Sequence, residues 1–278
     1  NPGNPTVVSG SASFQQSGNT LTVTNTPNAI INWGSFSIGQ NELTRFVQQN
    51  SASAVLNRVT GQDPSQILGQ LQSNGRVFLI NPNGVLFGQG AKIDVAGLVA
   101  SSLNISNEDF LAGKMRFIGN GAEGAVKNAG DITAPGGGQI ILIAPNVENT
   151  GIITSPNGEI ILAAGHTVEL ADTLNPALRV EITAPEGEAL NLGTLIAEGG
   201  KVGMYAGIVN QSGKVSATSA VAEGGRIYLK GTQSVTLAAG SVTEASGTKG
   251  GDIRVLADET VNAHGTLTAN GGGFIETS

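Results

Sequence analysis

The amino-acid sequence predicts an all-β protein, a right-handed parallel β-helix (solenoid) closed at its amino-terminal end by a β cap. Three observations predict it. Glycine supplies 41 of 278 residues, while charged residues make up only 13% and apolar residues 39%. That is too apolar for a disordered chain, and so many turn formers imply short strands. From about Val126 onward the chain repeats itself loosely every ~20 residues, a period that marks a solenoid. The repeats carry β-branched runs between Gly, Asn, Asp and Pro, with no Leu-x-x-Leu-x-Leu scaffold, which favours a stacked β coil over a leucine-rich repeat.

The repeat units align as Val126-Lys127-Asn128-Ala129-Gly130, Val147-Glu148-Asn149-Thr150-Gly151, Val209-Asn210-Gln211-Ser212-Gly213 and Val261-Asn262-Ala263-His264-Gly265. Each leads through a Gly-rich corner into a β-rich run such as Gln139-Ile140-Ile141-Leu142-Ile143 or Arg226-Ile227-Tyr228-Leu229. Stacked at about 4.8 Å per coil, roughly ten coils form a rod near ~50 Å long. One coil alone buries too little to offset its ordering entropy, so each needs a neighbour. The recurrent Asn128, Asn149, Asn210 and Asn262 either stack inward as an amide ladder or serve as water-facing turn residues.

Residues 1–103 are expected to hold the cap and first coils, and residues 104–278 the remaining coils of the same single domain. Thr20-Leu21-Thr22-Val23-Thr24 alternates with period two, and Ala29-Ile30-Ile31-Asn32-Trp33, Phe36 and Ile38 supply bulky apolar groups for a plug over the open solenoid end. Asp63 as N-cap, Pro64 at the first helical position, and Ile67, Leu68 and Leu71 on one face predict a short helix ending near Gly75. Leu43, Phe46 and Val47 fit helix and strand equally.

Several function classes are excluded or disfavoured by composition. A net charge of −7 with only 14 Lys plus Arg argues against nucleic-acid binding. No run of about 20 apolar residues exists to cross a bilayer as a helix. The sequence has no cysteine, so disulfides and thiolate metal sites are impossible. Asp94, Asp109, Asp131, Asp172, Asp252 and Asp258 are dispersed, so no pair of acids marks a glycosidase-type centre, although coil stacking brings residues one period apart together. His166 and His264 lie far apart and are expected at corners, and the Gly136-Gly137-Gly138 and Gly271-Gly272-Gly273 runs lack the Lys-Ser/Thr of a phosphate loop. Neither an enzyme nor a cofactor is expected.

The sharpest local motif is Ile80-Asn81-Pro82-Asn83-Gly84-Val85, set between the apolar runs Val77-Phe78-Leu79-Ile80 and Val85-Leu86-Phe87. Its order fits a type I turn, with Asn first, Pro second and Gly fourth.

With Asn57-Arg58-Val59-Thr60, Ile67-Leu68-Gly69-Gln70-Leu71 and Gly75-Arg76-Val77-Phe78-Leu79-Ile80, this motif resembles the two-partner secretion domain of filamentous haemagglutinin-type exoproteins. Ala29-Ile30-Ile31-Asn32-Trp33, and the lack of a second Asn-Pro-Asn-Leu motif near Gln49-Asn50-Ser51, make it most similar to the high-molecular-weight adhesin branch. The resemblance implies a β-helix with extra-helical strands, a secreted or cell-surface location in a Gram-negative bacterium reached via the periplasm, and the start of a large adhesin. It also implies a partner, an outer-membrane β-barrel transporter with periplasmic polypeptide-transport-associated domains, while downstream parts of the exoprotein meet a host-cell or matrix ligand. On the same ground Asn81, Pro82, Asn83 and Gly84, with Asn57 and Arg58, are the expected secretion-motif residues, either touched by the partner or holding the fold. The alternatives are an autonomous ligand-binding β-helix, for example for haem-carrier proteins, and a carbohydrate-active enzyme.

Overall fold

The computed structural model describes residues 1–183 and 187–278. The chain winds into a triangular prism whose faces are three stacks of parallel strands. Each turn passes through the stacks in the same order, as in Gln139–Ala144, then Val147–Asn149, then Ile152–Thr154, before Glu159–Ala164 pairs on Gln139–Ala144 in the next turn. The first stack runs Ala29–Ser35, Ala54–Val59, 76–80, 97–101, Gln139–Ala144, Glu159–Ala164, 201–206, 226–231, Asp252–Ala257 and Phe274–Thr277. That makes ten rungs among the described residues, the number expected from the repeat.

Strand alternation explains the core. In the first stack Ile31, Val77, Leu79, Leu98, Ile140 and Leu142 point into the prism. Their neighbours Ile30, Phe78, Ile80, Val99, Ile141 and Ile143 point outward into a second apolar layer. Strands buried on both faces have unbroken apolar runs, which is why Gln139–Ala144 reads Gln-Ile-Ile-Leu-Ile-Ala.

What buries the outer layer is a pair of excursions that leave the prism at one corner, between the first and second stacks. The first spans residues 102–125 and holds the helix Asn107–Leu111, capped by Ser106, and the strand Met115–Ile118. The second, leaving after Ala164, pairs Thr167–Leu170 antiparallel with both Met115–Ile118 and Val180–Thr183. The expected extra-helical strands are these. A buried ion pair, Arg179 Nη2 to Glu159 Oε1 at 2.9 Å, ties the second excursion to the rung below it.

At the amino-terminal end the strand direction reverses. Gly3–Ser9 lies antiparallel on Ala29–Ser35, and Ala12–Ser17 forms a hairpin with Thr20–Asn25 that covers the third stack. Beneath them Trp33 packs edge-on against Phe14 and Phe36, each at 5.5 Å, and Phe36 stacks on Phe46. Trp33 is therefore part of the expected plug, at 1% exposure, and is no ligand-binding aromatic.

One expected element is corrected, and one left open is settled. The predicted helix from Asp63 to Gly75 is instead strand Ser65–Ile67, a corner at Gly69, and strand Gln70–Ile80. Parallel partners on both sides, Val85–Phe87 for the first and Leu43–Val47 and Lys92–Ser101 for the second, outweigh the local Asp-Pro helix signal. Leu43–Val47 is a strand for the same reason.

The amide ladder exists and points inward, but with different members. Asn128 Nδ2 donates to Asn149 Oδ1 at 2.8 Å, Asn149 Nδ2 to Asn191 Oδ1 at 2.9 Å, and Asn191 Nδ2 to Gln211 Oε1 at 2.8 Å. Asn210 stands one residue out of register, paired opposite Leu190, and bonds Glu188 instead, while Asn262 is exposed. The missed unit is Ala189-Leu190-Asn191-Leu192-Gly193, which the second excursion pushes 42 residues past Asn149 in the chain.

Candidate functional site

The secretion-motif corner lies where the first stack hands over to the second, directly below the return of the first excursion. Its turn closes through Gly84 N donating to Asn81 O at 3.0 Å. Pro82 presets the second position, and Gly84 takes a φ of 107°, where a Cβ would stand 2.9 Å from Ala125 O. Glycine is therefore required at this position.

Asn81 is fully buried, yet all its polar capacity is used. Its Nδ2 donates to Asp63 O and to Ser65 Oγ, both at 3.0 Å, and its Oδ1 accepts from Asn83 N at 3.0 Å and Asn83 Nδ2 at 3.1 Å. Asn83 also donates through Nδ2 to Gly61 O at 3.0 Å. From above, Gly124 N donates to Pro82 O at 2.9 Å and Val85 N to Ala125 O at 3.1 Å. The turn is thus clamped between the loop of the preceding rung and the end of the excursion. Only Asn83 is exposed, with Pro82 half-buried beside it.

Asn57 and Arg58 sit one rung earlier, paired with Leu79 and Ile80, so the structure brings all six expected residues to one corner region. Asn57 points inward: its Oδ1 accepts the Trp33 indole N–H at 2.9 Å, and its Nδ2 donates to Phe78 O at 3.2 Å. Arg58 points outward and donates to Asn104 Oδ1 at 3.0 Å, Asn107 Oδ1 at 2.9 Å and Ile105 O at 2.7 Å. These acceptors are neutral and flank the helix Asn107–Leu111, so Arg58 anchors the first excursion. Partial burial lowers the affinity of its guanidinium for a proton, though not enough to discharge an arginine.

Sequence reasoning missed Ser65, Asp63 and Gly61, whose only signal is their place one rung below the motif, and Trp33 as the partner of Asn57. The turn itself holds amides, a proline and a glycine, and the neighbouring Ser65 hydroxyl is spent on Asn81, so its chemistry is hydrogen bonding and shape. No group of three or more metal-ligating side chains occurs among the described residues. His166 and His264 lie between strands at corners, as expected.

A solenoid sealed at its amino-terminal end, carrying two packed excursions and an amide-clamped corner, defines a structural β-helix domain. The chain belongs to the TPS secretion domain family, whose model matches residues 1–277. It is similar over its whole length to the HMW1 secretion domain from Haemophilus influenzae, with a TM-score of 0.93 and 37% identity, covering 100% of this chain and 76% of that one. The filamentous hemagglutinin secretion domain shares the fold, with a TM-score of 0.68 at 17% identity, 98% of this chain and 99% of that one. A heme/hemopexin-binding protein of Haemophilus influenzae is 47% identical over 105 residues, 37% of this chain. A second protein of that name is 49% identical over 77 residues, 28% of this chain. The matches span only 12% and 8% of those proteins' own lengths.

Members of this family are structural secretion domains of large exoproteins, not enzymes. They leave Gram-negative bacteria through the periplasm and across the outer membrane, and two-partner secretion implies an outer-membrane transporter as partner.

Proposed function

We propose that this chain is the export-recognition and folding-start segment of a larger adhesin. In this reading the transporter's polypeptide-transport-associated domains bind it in the periplasm, and outside the cell it folds first and nucleates the β-helix downstream. The observation that carries the proposal is the direction of the build. Antiparallel strands close the amino-terminal end, and from Ala54–Val59 onward each rung of the first stack lies parallel on the one before it. Rungs that each need a neighbour, laid on a capped start, favour winding outward from the cap.

Residues 1–103, with the cap and motif corner, and the coils of 104–278 act in this reading as one domain. Asn81, Gly84, Asn57 and Arg58 serve export by holding the corner, and Pro82 and Asn83 complete its turn. A host-cell or matrix ligand is met by parts of the exoprotein beyond this chain. The name of the relatives supports a second reading, in which the parent exoprotein binds a haem carrier. Coexpression tests the first: the chain reaches the medium with its transporter and is retained when the transporter's periplasmic domains are deleted. Release without the transporter contradicts it.

A further inference from the structure

We infer that the cleft above Arg76 is a binding site for a monocarboxylate bearing an apolar group. Arg76 opens the 76–80 segment of the first stack and points outward, like Phe78 two residues later. Its register partners in the flanking rungs are Ala54 and Gly97, which put almost no side chain beside it. The Arg76 stem lies across Gly97, where a Cβ would stand 3.1 Å from its Cγ. The space so opened, beneath the helix Asn107–Leu111, is a cleft of about 670 Å3 whose lining includes Arg76, Phe78, Phe110, Lys114, Glu169 and Asp172, a volume suited to a small ligand.

Arg76 and Lys114 are the cationic groups of this cleft that form no ion pair among the described residues. The Arg76 Nε is buried with no hydrogen-bond partner, and no carboxylate lies within 4.0 Å of its guanidinium, among the described residues. By contrast, Arg179 in the same lining is spent on Glu159 and on Ala171 O. Arg76 Nε is enclosed by protein, but no group among the described residues accepts from Nη1 or Nη2, and this edge of the planar guanidinium can give a carboxylate two parallel N–H bonds. Phe78 and Phe110, edge to face at 5.1 Å, offer the apolar substituent a wall. Glu169 and Asp172 in the same lining repel a second negative charge, which disfavours phosphate and dicarboxylates.

The test uses the folded chain labelled with 15N and follows the Arg76 Nε–Hε resonance and the backbone amides of Phe110 and Lys114. The probes are phenylacetate, uncharged phenylacetamide, inorganic phosphate and a capped glutamyl-phenylalanine dipeptide amide. Phenylacetate should shift the Arg76 signal saturably, with a dissociation constant of about 1 mM or tighter. Phenylacetamide should leave it unmoved, and phosphate should bind at least about tenfold more weakly. The dipeptide binding as well as phenylacetate assigns the carboxylate to an acidic peptide segment; phenylacetate alone assigns it to a free acid. Arg76→Gln should abolish the shifts at Phe110 and Lys114, and Arg76→Lys, which keeps the charge without the planar fork, should weaken binding about tenfold. An Arg76 signal unmoved by phenylacetate, an equal response to phenylacetamide, or full binding by either variant would overturn the inference.

Discussion

The Trp33 indole donates its N–H to Asn57 Oδ1 at 2.9 Å inside the solenoid, joining the plug of the cap to the rung that precedes the motif corner. Asn57 spends its other amide group on Phe78 O, so one fully buried side chain fastens three successive rungs. Asn57→Ala strands the indole N–H and the Phe78 carbonyl in a dry core. The expected loss is about 1–3 kcal/mol, read as a lower urea midpoint with an unchanged slope. Trp33 is the only tryptophan, so its fluorescence follows this junction directly.

Removing an inner ladder amide should cost far more than removing an outer one. Asn149→Ala removes the acceptor of one Asn128 Nδ2 hydrogen and the donor to Asn191 Oδ1, with an expected loss of about 2–4 kcal/mol. Asn262→Ala, exposed and outside the ladder, should stay within about 0.5 kcal/mol of the parent. Denaturation of the two variants side by side checks the difference.

Alkaline pH should weaken the second excursion. Burial, reinforced by the negative charge of Glu159, raises the pKa of the Tyr205 phenol well above its ordinary value. A group whose pKa is raised by folding contributes stability that is complete below the unfolded pKa of about 10. That contribution is lost as pH climbs toward the folded value. Stability measured from neutral pH to above pH ~10 should fall less steeply in Tyr205→Phe, which has no phenol to ionise and gives up only the bond to Pro176 O at 3.3 Å.

How much of this was legible in the sequence depended on whether a feature is local. The Asn81–Gly84 turn was legible because Asn, Pro and Gly each set their own backbone geometry. The partners that clamp it, Asp63, Ser65 and Gly124, come from other rungs and have no local signature. Asn128 and Asn149 could be aligned because one ordinary turn separates them, whereas the second excursion hid Asn191. Asp63-Pro64 carries the same cap signal as Asn175-Pro176, which does begin a short helix, Pro176–Arg179. At Asp63 that signal is overridden because the following residues are flanked by strands on both sides.

Export driven by folding requires intact rungs. Ile141 is buried in the first stack and paired on both sides, with Val99 and Ile161. Ile141→Pro removes a ladder donor and should cost about 3 kcal/mol or more. It should also slow appearance of the chain in the medium when the transporter is present. Unchanged secretion alongside a demonstrated folding defect would count against this coupling.

The central claim is that the motif corner serves export by holding two rungs and an excursion together. It is tested most directly by measuring secretion and thermal stability in parallel for Asn81→Ala, Ser65→Ala and Pro82→Ala. The account predicts that Asn81→Ala and Ser65→Ala, which break the buried clamp, lose both stability and secretion. Pro82→Ala, on the outer surface of the turn, should keep most of each. A Pro82→Ala chain that folds as stably as the parent yet is no longer secreted would contradict it.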